Sequence, residues 1–229
     1  MEPTNPIELL LFAGGGHAAE VYSYLADLLA AGQPIRVVGV IDDALPPGAW
    51  ESTRALGGFD ALAAVVADRP GPMNYITCVG NNATRRKLAQ QAEALGPNLV
   101  AWSLRHPAAY VGRSVEIGAG TLLAPGAVLT TRLRIGRHCI INVNASVHHD
   151  CTVGDFVNIN PGATVCGGAR IGDGAYIGAG ATVIQGRSIG ANSVIGAGAV
   201  VTSDIPAEVT AVGVPARVIK THRAREAFA

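Results

Sequence analysis

One tight group of side chains in this sequence is suited to moving a proton: His148, His149 and Asp150 follow one another directly. An imidazole accepts a proton near neutral pH, and a carboxylate bonded to one ring nitrogen fixes the tautomer and raises the basicity of the ring. Acyl transfer needs such a pair, because the attacking amine or hydroxyl must lose a proton. The spacing alone does not rank the two adjacent histidines.

The remaining histidines and the cysteines are expected to be structural. His106, His138 and His222 have no supporting neighbours and are expected on the surface or in loops. The cysteines lack CxxC spacing, which predicts no metal site, and reduced thiols in a packed interior are expected for all of them: Cys78, Cys139, Cys151 and Cys166. Cys151 is the alternative nucleophile, but it falls at an inward-facing position, so direct transfer is favoured.

A glycine-rich turn offers a second kind of chemistry near the start of the chain. Three glycines, followed by His17, lie between a predicted strand and a predicted helix: Gly14, Gly15 and Gly16. Exposed N–H groups and the helix dipole favour phosphate at such a place. Asp42 or Asp43, which end the next strand, are expected to bind a base or a ribose, and Arg85 is a candidate phosphate ligand.

These residues must be positioned by two regions with different sequence periods. Strand-like segments over 7–12, 35–41, 74–79 and 99–104 alternate with helical segments that include 59–66 and 84–95. Alternation of this kind predicts a small parallel sheet covered by helices. Too few residues precede the second region for a full double Rossmann unit, so the first domain is predicted to be Rossmann-like over residues 1–106.

From Val111 to Val201 every sixth residue is Ile, Leu or Val, in sixteen consecutive frames without an insertion. No helix or ordinary strand has a period of six, and a hexapeptide repeat predicts a β-helix, here over residues 107–229. Three frames make one coil of about 18 residues, with aliphatic side chains stacked about 4.8 Å apart.

The coil period brings distant residues together. Gly167 lies one coil beyond His149, where a glycine leaves room for a thioester and an amide N–H that stabilises a developing oxyanion. Asn142 and Asn160 are likewise one coil apart, which suits either a structural turn or a ligand contact.

The hexapeptide array resembles the left-handed β-helix acyltransferases, as does the ending GVPARVIK over residues 213–220. The whole chain more narrowly resembles bacterial nucleotide-sugar N-acetyltransferases that act on a 4-amino-4,6-dideoxy sugar. Three segments carry this resemblance: AGGGHAAEV from Ala13, GNNATRRKL from Gly80, and VHHDCTVGDF from Val147.

The resemblance implies the roles of individual residues. His149 would be the base, Asp150 its acidic partner, and Gly167 the amide at the thioester. The implied nucleotide-sugar contacts are Gly14, Gly15, Gly16, His17, Asp42, Asp43, Asn81 and Arg85. The implied contacts of acetyl-CoA, the co-substrate, are Asn142, Asn158, Gly167, Ala179, Ala197 and Pro215. It also implies a homotrimer, with acyl-CoA held between adjacent β-helices, and a place in the biosynthesis of surface-glycan or glycoprotein sugars.

Composition limits the other classes of function. The 229 residues are 49% hydrophobic and carry 17 basic and 17 acidic side chains, which favours neither nucleic acid nor an anionic membrane as partner. No apolar run reaches the length of a membrane span and the start lacks a signal-peptide pattern, so a cytoplasmic location is expected. The alternatives are an O-acetyltransferase of a sialic acid or another sugar, and a non-enzymatic nucleotide sensor on a β-helix scaffold.

Overall fold

The computed structural model describes residues 6–67 and 71–222. Contacts divide the chain into two compact units, each described here by itself. The first contains Met1–Gly80 and Thr84–Trp102, and the second contains Asn81–Ala83 and Ser103–Ala229. Among the described residues, no helix combines the length and apolarity that crossing a bilayer would need.

The first unit is an α/β domain built on a six-stranded sheet. Its strands are β1 (Ile7–Phe12), β2 (Ile35–Ile41), β3 (Gly48–Trp50), β4 (Thr53–Gly57), β5 (Met73–Thr77) and β6 (Leu99–Ala101). Its helices are α1 (Gly16–Ala30), α2 (Phe59–Ala67) and α3, which begins at Asn82 and ends at Ala94. The strand order is β3-β4-β2-β1-β5-β6, parallel except for the β3–β4 hairpin. The predicted alternation of strands and helices is therefore confirmed.

The hairpin of β3 and β4 was not predicted. These strands join through a two-residue turn in which Glu51 has a φ of 46°. The turn has no glycine or Asn-Gly pair, so the usual sequence signal of a tight hairpin is missing. The fourth predicted strand ends early, at Ala101.

The central strand β1 is apolar because both of its faces are covered. Leu9, Leu10, Leu11 and Phe12 are 0% exposed, and the Phe12 ring stacks on Tyr75 with 4.6 Å between centroids. Helix α1 buries one stripe, which recurs at helical spacing: Ala18, Val21, Tyr24, Leu25 and Leu28. This packing fixes the end of β1 and the start of α1, and therefore the glycine turn between them.

The second unit is a β-helix with three parallel sheets. Its strands in the first four frames are β7 (Leu104–Arg105), β8 (Tyr110–Val111), β9 (Val115–Ile117) and β10 (Leu122–Leu123). The next are β11 (Val128–Leu129), β12 (Leu133–Ile135), β13 (Ile140–Ile141), β14 (Ser146–Val147), β15 (Thr152–Val153) and β16 (Asn158–Ile159). They continue as β17 (Thr164–Val165), β18 (Arg170–Ile171), β19 (Tyr176–Ile177), β20 (Thr182–Val183) and β21 (Ser188–Ile189). The last are β22 (Val194–Ile195), β23 (Val200–Val201), β24 (Val209–Val212) and β25 (Arg217–Thr221), and β25 pairs antiparallel with β24.

The six-residue period is confirmed, since each of the sixteen aliphatic positions lies in one of the strands β8 to β23. Ile141 pairs with Ile159, and Ile159 with Ile177, so each residue lies against its equivalent one coil away. This is the architecture expected of the left-handed β-helix. The first strand of the coil, Leu104–Arg105, already pairs with Leu122–Leu123, so the β-helix begins before the expected boundary at residue 107.

Each turn of the β-helix has a repeating hydrogen-bond pattern. The fourth residue of a frame adopts a left-handed conformation, as in Asp150 (φ 62°) and Gly168 (φ 71°). Its N–H donates to the carbonyl of the third residue one coil earlier, for example from Gly168 to His149 at 2.8 Å. The turns of successive coils are thereby stacked in register, which places their side chains side by side.

Candidate active site

His149 lies on an exposed corner of the β-helix, in the turn that follows β14. Its side chain is 59% exposed, and its Nδ1 lies 2.8 Å from Oδ2 of Asp150. A carboxylate only accepts hydrogen bonds, so Nδ1 carries a proton, and in the neutral form of the ring Nε2 presents a lone pair. The predicted pairing of a histidine with Asp150 is thus present, and it is His149 that makes it.

A residue that the sequence analysis missed holds the other side of this carboxylate. Arg132 Nε lies 2.6 Å from Oδ1 of Asp150, and its Nη2 lies 2.9 Å from Oδ2. The hydrogen bonds from Arg132, and secondly from His149, hold the pKa of Asp150 well below its usual range. The signal was available in the sequence, because Arg132 stands one coil before Asp150.

Gly167 packs directly against the ring of His149. A Cβ placed on Gly167 would lie 2.5 Å from Cε1 and 2.6 Å from Nε2 of that imidazole, so any side chain here would displace the ring. Its carbonyl accepts a hydrogen bond from Gly186, while no described residue accepts one from its N–H. Gly167 therefore lies beside His149, as the coil spacing predicted.

The neighbouring side chains are less exposed than His149. His148 is half-buried, and its backbone N–H donates to the carbonyl of Val165. Cys151 is 1% exposed, and its thiol donates to the carbonyl of Cys166 at 3.1 Å. Burial raises the pKa of the Cys151 thiol, which disfavours the nucleophilic thiolate. Cys166 is half-buried rather than fully inside, unlike the other cysteines.

The three other histidines lie in loops or turns, as one of the two expectations had it, but they are buried and not on the surface. His106, His138 and His222 are 7%, 1% and 7% exposed. His106 Nδ1 accepts a hydrogen bond from a backbone N–H, His138 stacks on Phe156 at 5.1 Å, and Nε2 of His222 lies 2.8 Å from the Thr210 hydroxyl. The partner of His138 lies one coil further on, and the partner of His222 lies in the preceding strand β24. A search among sequence neighbours does not find either of them.

The first unit contains a cavity of about 480 Å³ beside the glycine turn. The expected ligand residues that line it are Gly15, Gly16, His17, Asp42 and Asp43. His17 Nδ1 lies 3.1 Å from Glu20, and no described residue bonds to its buried Nε2. Helix α1 begins at Gly16, so its free N–H groups and positive dipole end are at this cavity.

The two aspartates at the end of β2 shape the cavity wall. The Asp42 carboxylate accepts hydrogen bonds from the N–H of Gly14 at 2.7 Å and of Ala44 at 2.8 Å. One oxygen of Asp43 accepts the N–H of Phe59 at 2.9 Å. Both oxygens of Asp42 therefore accept hydrogen bonds from backbone N–H groups, whereas only Oδ1 of Asp43 accepts a hydrogen bond of this kind.

The three glycines differ in their surroundings. A Cβ on Gly14 would run into the side chain of Leu45, so this residue is required by close packing. A Cβ on Gly15 or Gly16 would meet no atom of the described protein within 4 Å. The open space in front of Gly15 and Gly16 is room for a ligand.

Arg85 does not fulfil the expectation of a phosphate ligand on the cavity wall. It is 0% exposed, and it donates hydrogen bonds to the carbonyls of Val79 and Gly80 at 3.0 and 3.3 Å. The exposed cation that does line the cavity is Lys87, which the sequence analysis passed over. Helical spacing explains why Lys87 lines the cavity and Arg85 does not, because residues two apart on α3 point to different faces of the helix.

Asn81 belongs to the second unit and is not among the residues that line the cavity beside the glycine turn. Its neighbour Asn82, also in that unit, donates hydrogen bonds to the carbonyls of Gly174 and Ala175 at 2.9 and 3.1 Å. This part of the GNNATRRKL segment therefore has a structural function in the second unit.

The residues expected to contact acetyl-CoA are unequally accessible. Ala179, Ala197 and Pro215 are exposed on the β-helix. Asn142 is half-buried, and its side-chain oxygen accepts the N–H of Val143 at 2.7 Å. Asn158 is only 2% exposed, so the expectation of a ligand contact at its side chain is not supported. Among the described residues, no cluster of His, Cys, Asp or Glu could hold a metal ion.

A coil of hexapeptide repeats with an exposed histidine–carboxylate pair defines the class of hexapeptide acyltransferases. The family description "Bacterial transferase hexapeptide (six repeats)" matches residues 168–203, and "PglD N-terminal domain" matches residues 8–92. No curated protein matches the chain.

Solved structures extend this likeness over nearly the whole chain. PerB from Caulobacter crescentus, in complex with CoA and GDP-perosamine, is 33% identical, with a TM-score of 0.84 over 93% of this chain and 97% of that one. The acetyltransferase domain of PglB from Neisseria gonorrhoeae is 32% identical, with a TM-score of 0.82 over 93% and 100%. WeeI from Acinetobacter baumannii is 28% identical, with a TM-score of 0.76 over 92% and 99%. The chain belongs to the nucleotide-sugar N-acetyltransferases, and it is an acyltransferase enzyme.

Proposed function

We propose that this enzyme transfers the acetyl group of acetyl-CoA to the 4-amino group of a nucleotide-linked 4-amino-4,6-dideoxy sugar. The observation that carries the proposal is the arrangement around His149. Its Nδ1 bonds to Asp150, and a Cβ on Gly167 would lie 2.6 Å from its Nε2. PerB, crystallised with CoA and GDP-perosamine, supports the choice of a sugar amine as acceptor.

His149 acts as the general base in this proposal. Its Nε2 takes a proton from the sugar amine as the amine nitrogen bonds to the thioester carbonyl carbon. The bond from that carbon to sulfur then breaks, and the thiolate of CoA leaves and is protonated. Asp150 keeps the ring in the tautomer with Nε2 unprotonated and stabilises the imidazolium that forms. The N–H of Gly167 donates to the carbonyl oxygen as negative charge develops there, a contribution of about 3 kcal/mol in comparable sites.

The cavity of the first unit is proposed to bind the nucleotide part of the sugar substrate. The N-terminus of α1 and the open space at Gly15 and Gly16 suit a diphosphate. Lys87 supplies the positive charge that was expected from Arg85. Asp43 is the better candidate than Asp42 for a base or ribose contact, because both oxygens of Asp42 are held by backbone N–H groups.

We also propose a homotrimer in which acetyl-CoA runs along the β-helix near Ala179, Ala197 and Pro215, all of which are exposed. A corner as open as that of His149 needs a second surface to enclose a long acyl donor, and a neighbouring β-helix provides one. Light scattering at assay concentration should give three times the chain mass. A fully active monomer would contradict this assembly.

The decisive experiment offers matched acceptors with acetyl-CoA and follows the release of free thiol. Nucleotide-linked 4-amino sugars and their 4-hydroxy counterparts should differ sharply, with rapid thiol release only from the amino sugars. Equal or preferential use of the hydroxy sugars would identify an O-acetyltransferase. No turnover with either class, despite binding, would contradict the enzymatic proposal.

A further inference from the structure

Arg132 lies in the preceding coil, in the turn that stacks against the turn of His149, the proposed base. The backbone conformation at this position does not require an arginine side chain. Arg132 and Asp150 occupy the same place in successive coils, with φ values of 53° and 62°. Glycine fills this place in the next two coils, at Gly168 and Gly186, with φ values of 71° and 70°. A left-handed conformation is unfavourable for a residue with a β-carbon, and glycine adopts it freely. Arg132 therefore adopts this conformation at some cost, as do Ser114 (φ 56°) and Asp150 at the same place in the neighbouring coils.

The contacts of Arg132 show what its side chain does. Its Nε and Nη2 bond separately to Oδ1 and Oδ2 of Asp150, and Oδ2 is also the atom that His149 Nδ1 contacts. Two parallel bonds from a planar guanidinium fix both the position and the plane of a carboxylate, which a single bond does not. The Arg132 clamp, meaning these two bonds, thus sets the direction from which Asp150 meets the imidazole.

We propose that Arg132 is a positioning residue of the acetyl transfer, whose clamp on Asp150 keeps the His149 ring turned with Nε2 toward Gly167. This inference rests on the proposed function, since it assumes that His149 is the base. Arg132 acts through Asp150 and touches no substrate.

The exposure of the group makes such a clamp necessary. The side chains of His149 and Asp150 are 59% and 46% exposed, so neither is held in place by burial. Without Arg132, the carboxylate would be free to rotate away from the ring and bond to water instead. The clamp also favours the charged form of the carboxylate, because Arg132 is the largest cause of the lowered pKa of Asp150.

The groove beside the clamp contains a second cation. Arg132 and Asp150 line a groove of about 360 Å³ together with Glu116 and Arg134, which pair with each other at 3.6 Å. Because Arg134 pairs with Glu116, it provides a control for the charge of Arg132 alone.

The test compares the intact enzyme with Arg132→Gly, Arg132→Gln and the control Arg134→Gln, which removes a cation from the same groove. Arg132→Gly retains the backbone, because glycine fills this place in later coils, at Gly168 and Gly186. Both Arg132 variants should lose about tenfold in kcat, with little change in KM for either substrate. Arg134→Gln should match the intact enzyme.

A double variant tests whether Arg132 acts through Asp150. The variant Arg132→Gly/Asp150→Asn should be no slower than Asp150→Asn alone, because the clamp then has nothing to hold. Additive losses, a rise in KM for acetyl-CoA, or Arg132 variants as fast as the control would each overturn the inference. His149→Ala is measured in parallel: if it retains full activity, the proposed function fails, whereas a slow His149→Ala beside fast Arg132 variants refutes only the role of Arg132.

Discussion

Two glycine turns, residues 14–16 of the first unit and 167–168 of the second, use similar residue types for opposite purposes. A Cβ on Gly15 would meet no atom of the described protein within 4 Å, whereas the same position on Gly167 is taken by the His149 ring. The first glycine faces open space. The second glycine leaves space for a side chain of the protein itself, that of His149.

The aspartates that lie next to these two turns, Asp42 and Asp150, also differ in what they bond to. Asp42 is bonded to two backbone N–H groups, those of Gly14 and Ala44, so it holds the loop in shape. Asp150 is bonded to two side chains, Arg132 and His149, so it orients a group that can react. An aspartate beside a glycine in a turn is thus not evidence of function until its partners are known.

The largest effect is expected from removing the base. His149→Ala should lower kcat by at least about a hundredfold, because the attacking amine then has no proton acceptor. His148→Ala is the matched control and should cost far less, since it is the ring of His149 that pairs with Asp150. Steady-state kinetics with a nucleotide-linked amino sugar measure both. Reversed effects would move the base to His148.

The second effect tests the crowded glycine. Gly167→Ala should lower kcat by about ten- to thirtyfold, because its methyl group displaces the imidazole while the fold is retained. Gln185→Ala, at the same place one coil further on, should leave kcat nearly unchanged. Thermal unfolding checks that both variants are folded. A Gly167→Ala enzyme with normal kcat would show that the ring and this amide do not act together.

A substitution at Gly15, where a Cβ would meet open space, should change KM and not kcat. Gly15→Val should raise KM for the nucleotide sugar by about tenfold and leave the affinity for acetyl-CoA unchanged, because the new side chain occupies ligand space only. Gly14→Ala should instead lower the melting temperature, since its methyl group meets Leu45. Calorimetry with each substrate separates the two. Weakened acetyl-CoA binding by a folded Gly15→Val protein would contradict the assignment.

Substitutions of Lys87 and Arg85, two of the three cations of α3, should also have different effects. Lys87→Ala should raise KM for the nucleotide sugar severalfold at unchanged stability, as expected for an exposed charge on the cavity wall. Arg85→Ala should destabilise the fold by about 2 kcal/mol, because buried carbonyls lose their donor. Binding titrations and denaturant unfolding measure these effects. The opposite assignment of effects would restore Arg85 as the phosphate ligand.

The smallest effect is a pH dependence of stability at Asp150. Its pKa is lowered in the folded protein, chiefly by the hydrogen bond from Arg132, so its ionised form stabilises the fold above the unfolded pKa of about 3.9. That contribution is lost as the pH falls through the folded pKa. Asp150→Asn should therefore melt slightly below the parent protein at pH 7, and the difference should vanish in acid. Exposure of the carboxylate to water keeps the effect small. A difference that grows toward acid pH would have the wrong sign.

The sequence was most informative where one rule repeats. The six-residue period located every strand from β8 to β23 and placed Gly167 beside His149, because one coil has a constant length. The same arithmetic would have found Arg132 beside Asp150. The first unit has no repeat of constant length. The burial of Arg85 and the hydrogen bonds from backbone N–H groups to Asp42 depend on how helices and loops pack, which residue spacing does not specify.

The stacking of turns in register has a consequence for how the enzyme is made. Arg132, His149, Asp150 and Gly167 belong to three successive coils, and each coil contacts its nearest neighbours. Arrays of this kind fold by local propagation, and a chain emerging from the ribosome forms its early segments first. We expect the coils that hold Arg132, His149 and Gly167 to form while the last coils are still being synthesised. The final coils would then cap these earlier coils and protect them from fraying.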